Sequence, residues 1–166
     1  MLVRERVVIA PDEGDVILKG GVGFIGKLYG EENGGTFAMG EHPLEPGILA
    51  APPHSHSNED EISYVLEGEI GVMIGEEVYR APAGSYVLKP CGIVHAFWNP
   101  GPEPARILEI FSPAGFERYF EGLAEILSPD GPPDIPRLEE LASRYGLTFH
   151  WEKMEEIMRH YGLRLQ

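Results

Sequence analysis

The chain has 166 residues, 43% of them hydrophobic, enough for one buried core and too few to expect a second. With 27 acidic residues against 13 basic ones, its formal charge of −14 repels nucleic acid and anionic membrane lipid, so neither is expected as a partner. The 21 glycines and 15 prolines are spread along the chain, which suits many short strands joined by tight turns.

At the N-terminus, charges at Arg4, Glu5 and Arg6 precede only four apolar residues in a row, Val7 to Ala10. That run is too short for a signal-peptide core or a membrane span, and a cytoplasmic location is expected. The single cysteine, Cys91, permits no internal disulfide and agrees with a reducing compartment. From Val3 to Phe111, short β-branched and aromatic runs alternate with turn signals: VVIA then PDEG, FIGKLYG then EENGG, ISYVLEG, IGVMIG, SYVLKPCG, HAFWNPG and ARILEIF. This texture predicts an all-β sandwich or barrel of antiparallel strands. An exposed N-terminal strand RVVIA would need a partner, so a homodimer is expected.

After Phe111 the pattern becomes helical. Ser112 and Pro113 mark a start, and Phe116, Tyr119, Phe120, Leu123 and Leu127 recur at helical spacing. The linker SPDGPPDIP (residues 128–136) leads to a second stripe of Leu138, Leu141 and Tyr145 that stops at Gly146. A third stripe of Trp151, Met154, Met158 and Tyr161 ends at Gly162; it could dock on the barrel, lid a pocket or bury a dimer interface, and docking is the simplest reading. The organisation predicted is a β-barrel over residues 1–115 and a tail of two or three short helices over residues 116–166.

Chemistry concentrates between Gly47 and Asn99. His54 and His56 are two apart, which on a strand puts both imidazoles on one face. Glu61 comes five residues later, and the intervening Ser57, Asn58, Glu59 and Asp60 supply a bend that restores its direction. From there alternation puts Glu61, Ser63 and Val65 on the inner face. His95 follows the turn KPCG and opens the strand HAFWN, facing the same interior, with Phe97 two residues on. Three imidazoles and one carboxylate suit one divalent transition metal: iron, manganese, nickel, copper or zinc.

These residues resemble the two signature motifs of the cupin superfamily. Gly47, His54, His56, Glu61 and Gly68 match the first (residues 47–68), with six residues rather than five before His54. Gly84, Pro90, Gly92, His95 and Asn99 match the second at every position (residues 84–99). The resemblance implies a double-stranded β-helix barrel in which His54, His56, Glu61 and His95 hold the metal. It points to a dioxygenase-like oxidoreductase acting on a small aromatic or enolic substrate, with Glu61 as ligand and proton acceptor and Ser63, Val65 and Phe97 in the substrate pocket. A cupin isomerase or epimerase of a neutral sugar, or a non-catalytic small-ligand binder, are the alternatives. A phosphate-binding version is weak because Arg80 and Lys89 are the only basic residues between His54 and Asn99.

The other features read as structural. His42, His150 and His160 are expected at the surface or in packing, Glu59 and Asp60 as solvated turn charges, and Cys91 as a turn residue. Gly21, Gly23 and Gly26 satisfy G-x-G-x-x-G, but no helix pattern follows them. The acidic tail carries no DNA-binding pattern, so a transcriptional regulator is not expected.

Overall fold

The computed structural model describes residues 7–127 and 133–165. Eleven strands appear among them: β1 (Asp15–Leu18), β2 (Phe24–Leu28), β3 (Ala38–Leu44), β4 (His54–His56), β5 (Asp60–Glu67), β6 (Glu69–Ile74), β7 (Glu77–Pro82), β8 (Tyr86–Lys89), β9 (His95–Trp98), β10 (Ala105–Ser112) and β11 (Leu147–Phe149). Three helices follow the barrel strands: α1 (Tyr119–Ile126), α2 (Ile135–Arg144) and α3 (Trp151–Tyr161), the last two flanking β11. The strands form a six-stranded sheet, β1-β2-β3-β10-β5-β8, and a five-stranded sheet, β11-β4-β9-β6-β7. The paired strands run antiparallel, as the density of turns predicts.

Alternation fixes which face of each strand enters the barrel. Every second residue of β3 and β10 is buried, and along β5 the buried set is Glu61, Ser63 and Val65. The interior holds an apolar cluster that includes Val65, Ile70, Val72 and Ile107, with Ile74 and Val87 packed against it. The turn from β5 to β6 depends on Gly68, whose φ of 72° is left-handed and whose Cβ, if present, would lie 3.0 Å from the Ala105 backbone.

Two expectations need correction. VVIA forms no strand: Val7 and Val8 are exposed, and no strand pairs with them among the described residues. The start of the β-patterned region, Val3 to Arg6, and most of the 128–136 linker lie outside the described residues. The tail is also more than helical. Between α2 and α3 it returns to the sheet as β11, pairing Leu147 with His56 and Phe149 with His54. Three residues between two helical stripes carry too little pattern to read as a strand; the open edge of β4 makes them one.

The described parts of the tail dock on the barrel at both ends. Phe120 stacks on Phe24 of β2 at 3.8 Å between ring centroids, and Tyr161 of α3 lies 4.7 Å from Trp98 of β9. Leu49 and Arg164 exchange backbone bonds with each other's neighbourhood, Leu49 N–H to the Arg164 carbonyl and Arg164 N–H to the Gly47 carbonyl. Among the described residues no helix is long and apolar enough to cross a membrane.

Candidate metal centre

The seam between the two sheets brings His54, His56, Glu61 and His95 together, all buried, with one ligand atom of each within 4.8 Å of the others. His54 and His56 come from β4 and His95 from β9, where His95 pairs with His54. Glu61 comes from β5 in the opposite sheet. The turn before β9 is tied down on both sides: Gly92 N–H donates to the His56 carbonyl at 2.7 Å and Cys91 N–H to the Asp60 carboxylate at 2.8 Å. Gly92, with φ of 78°, supplies the left-handed residue that this turn requires.

The hydrogen-bond pattern assigns the protons. Each imidazole turns its Nδ1 away from the centre toward an acceptor: His54 to the Pro52 carbonyl at 2.8 Å, His95 to the Ile93 carbonyl at 3.0 Å, and His56 to the Glu59 carboxylate at 2.5 Å. Each Nδ1 therefore carries the hydrogen, and the lone pair of a neutral ring lies on Nε2, facing inward. Glu61 Oε2 lies 2.9 Å from His95 Nε2 and 3.3 Å from His56 Nε2, the latter buried without a hydrogen-bond partner. Lone pairs at such distances repel unless a positive charge lies among them. Without a metal, that charge is a proton. Burial disfavours the charged form of His56, but its contacts with Glu59 and Glu61 outweigh burial and push it up to about 9. Burial and neighbouring imidazoles hold His54 well down, and burial lowers His95.

The donor set therefore fits one metal ion: three Nε2 atoms and Glu61 Oε2 would hold it, with Pro52, Ile93 and Glu59 orienting the rings. The site has room for one such ion, and the set does not distinguish its identity.

Behind Glu61 lies a second polar cluster. Lys89, on β8, reaches Glu61 Oε1 at 3.1 Å and Glu109 Oε2 at 2.9 Å, and Ser63 donates to Glu109 at 3.0 Å. Lys89, Glu109 and Ser63 are essentially fully buried. Burial would raise the Glu61 carboxyl, but Lys89, His56 and His95 hold it well below the usual range. Burial pushes the Glu109 carboxyl up to about 8 against the pull of Lys89, because one ammonium serves two carboxylates. Lys89 thus leaves Oε2 of Glu61 as the inward-facing ligand atom.

In front of the centre a cavity of about 240 Å³ opens between barrel and tail. His54 and Glu61 stand in its wall with Phe97, facing rings of the tail that include Phe116, Phe120, Phe149 and Trp151. No lysine or arginine lines it among the described residues. Of the three predicted pocket residues, Phe97 is in the wall. Ser63 and Val65 are buried on the inner face but do not line the cavity, Ser63 bound to Glu109 and Val65 in the apolar core cluster.

The same geometry revises the reading of Glu59 and agrees with that of the remaining histidines as surface or packing residues. Glu59 is a buried partner of His56 rather than a solvated turn charge, while Asp60 is exposed. The H-x-x-E spacing from His56 to Glu59 carries this contact but does not distinguish it from a turn charge. His42 is buried in the cavity wall, His150 is half-buried beside Ser55, and His160 is exposed. Trp151 and Met154 of the third stripe line the cavity while Met154 and Met158 pack on the barrel, so docking and lidding are one arrangement.

The Cupin domain family model matches residues 40–111. An uncharacterized protein of Streptomyces coelicolor is 31% identical over 79 residues, 47% of this chain and 71% of that protein. The HTH-type transcriptional regulator PuuR of Escherichia coli is 35% identical over 112 residues, 67% of this chain; the match spans only 59% of PuuR. Among solved structures, a predicted oxalate decarboxylase from Thermotoga maritima superposes with a TM-score of 0.58 at 23% identity, covering 64% of this chain and 98% of that one, a likeness of fold. The chain belongs to the cupin superfamily.

Proposed function

We propose that this chain is a metal-dependent, dioxygenase-like cupin enzyme acting on a small aromatic or enolic molecule. The observation that carries the reading is the pairing of a three-histidine, one-carboxylate centre with an apolar cavity that exposes His54 and Glu61. A bound transition metal supplies a Lewis acid and a template for substrate oxygen and dioxygen. The chain's own contribution is to hold that centre rigidly and exclude water with the rings of the tail. Glu61, kept ionised by Lys89, accepts the proton of an acidic enolic hydroxyl at its inward oxygen. The apolar wall does not suit a polyol, and the absence of free cations in it does not suit a sugar phosphate, since Lys89 is committed to Glu61 and Glu109 and Arg80 pairs with Glu69 at the surface.

The likeness to PuuR supports a second reading, a ligand-binding module that turns nothing over. A net charge of −14 argues against direct contact with nucleic acid or membrane, and a cytoplasmic location agrees with the lone cysteine. A homodimer belongs to either reading, formed through the outer face of β5 and β8, where Tyr86 and Leu88 are exposed beside Tyr64 and Ile62, rather than through an N-terminal strand.

The deciding experiment measures oxygen uptake by protein loaded in turn with iron, manganese, nickel or copper, against a panel of small phenols, catechols and enols. Metal-dependent uptake that is lost in His54→Ala/His56→Ala supports the enzyme. Binding without uptake for any metal overturns it in favour of the ligand-binding module. Light scattering that finds a monomer removes the dimer.

A further inference from the structure

The inward positions of β3 are Ala38, Gly40, His42 and Leu44, and His42 alone among them brings a polar side chain into the interior. It is 3% exposed, stands in the wall of the cavity, and is not one of the four converging ligands. Its Nδ1 lies 2.8 Å from the Gly23 carbonyl, which can only accept, so the hydrogen sits on Nδ1 and Nε2 keeps an in-plane lone pair. The ring is surrounded by Phe24, Phe120 and Phe97 at centroid distances of 5.1, 5.3 and 6.0 Å, and none of them offers a donor. Among the described residues nothing donates to Nε2. Burial also pushes the ring down to about 4, so it is a neutral acceptor at pH 7.

Polar groups in native interiors nearly always have a partner, and a ring nitrogen of a cavity-lining residue to which the surrounding side chains offer no donor calls for an explanation. The partner is missing where a ligand would sit. We propose that His42 is the hydrogen-bond acceptor for a hydroxyl or N–H group of the molecule that occupies this cavity. The ligand class is then a mainly aromatic molecule with one oxygen directed at the metal centre and a separate, neutral hydrogen-bond donor directed at His42. A site built this way rejects analogues lacking the donor more strongly than it rejects small changes of apolar shape, because the analogue leaves Nε2 buried and unpaired. The proposal rests on the reading of the cavity as the ligand site, and it holds for an enzyme and for a passive binder alike.

The test uses zinc-loaded, full-length protein and four probes: acetophenone and its ortho-, meta- and para-hydroxy derivatives, with affinities from calorimetry. Wild type is expected to bind at least one hydroxy isomer about tenfold tighter than acetophenone. His42→Phe should abolish the preference for the hydroxy isomer over acetophenone, and His42→Gln, whose amide oxygen still accepts, should restore part of it. In ¹⁵N-histidine-labelled wild type, the His42 Nε2 resonance, assigned by its absence from His42→Gln, should move on adding the preferred hydroxy isomer and stay in place with acetophenone. This measurement decides the matter if His42→Phe does not fold. Binding of all four probes with equal affinity, or a preference that survives in His42→Phe, or an unmoved Nε2 resonance, overturns the role of His42 while sparing the cavity reading. Failure of wild type to bind any of the four overturns the cavity reading itself and the proposal with it.

Discussion

The two sheets bring different chemistry to the same seam, and they fix it by different means. The five-stranded sheet contributes three imidazoles, two of them oriented by backbone carbonyls two residues away, Pro52 for His54 and Ile93 for His95. The six-stranded sheet contributes Glu61, oriented by a lysine on the neighbouring strand that is itself shared with Glu109 from β10. The imidazole side is therefore preorganised locally, while the carboxylate side is held by a buried ionic network that exists only in the complete sheet. Losing the first should cost metal and spare the fold; losing the second should cost the fold first.

The largest effect is expected on the imidazole side. His54→Ala/His56→Ala should lower zinc affinity well beyond the roughly 10- to 100-fold that loss of an orienting partner costs, with circular dichroism unchanged. Unfolding of the metal-free double variant would break the contrast. On the carboxylate side, Lys89→Met leaves buried Glu61 and Glu109 without their shared cation and should destabilise the metal-free protein by about 3–5 kcal/mol in urea denaturation, whereas Lys89→Met/Glu109→Met, which still leaves Glu61 without the lysine, should recover part of the loss. No recovery in the double variant would mean that the network does not act as a unit.

A third prediction concerns His42, which stands outside the four converging residues and whose acidity is set mainly by burial, with smaller opposing influences from Glu61 and Lys89. Its folded-state pKa of about 4 lies below its ordinary value near 6.5, so between those values the unfolded chain binds the proton and the folded chain does not. The stability that His42 contributes is thus complete above pH 6.5 and lost as pH falls through 4, to a total of about 3 kcal/mol. In zinc-loaded protein, whose ligand histidines are occupied, His42→Phe should remove that slope from the difference in unfolding free energy; an unchanged slope would assign the titration elsewhere. The smallest effect is expected from Glu59→Ala, which releases His56 Nδ1 and should weaken zinc binding about 10- to 100-fold without altering urea stability in the metal-loaded form beyond that linkage.

Much of the fold and of the candidate ligand set was legible in the residues. Strand alternation identified the inward faces, as at Glu61, Ser63 and Val65, because a two-residue period leaves each side chain one choice of face. The H-x-H pair was readable for the same reason. Glu59 was not, since a turn carboxylate looks solvated until the fold covers it. Ser63 and Val65 were read onto the correct face, but they do not line the cavity, whose extent depends on the opposite sheet and the tail. Nor could the short run at Leu147–Phe149 declare itself a strand, because its pairing energy comes from an edge more than 90 residues earlier.

By itself, then, the sequence determined the strand texture, the helical stripes of the tail and the four residues able to bind a metal, all of which are local patterns of spacing and side-chain type. Only the tertiary structure decided that the tail adds a strand beside His54 and His56, that its rings wall an apolar cavity over the centre, that His42 stands in the wall of that cavity, and that Lys89 bridges Glu61 and Glu109. Those placements depend on contacts between segments far apart in the chain, whose free energy no local pattern encodes.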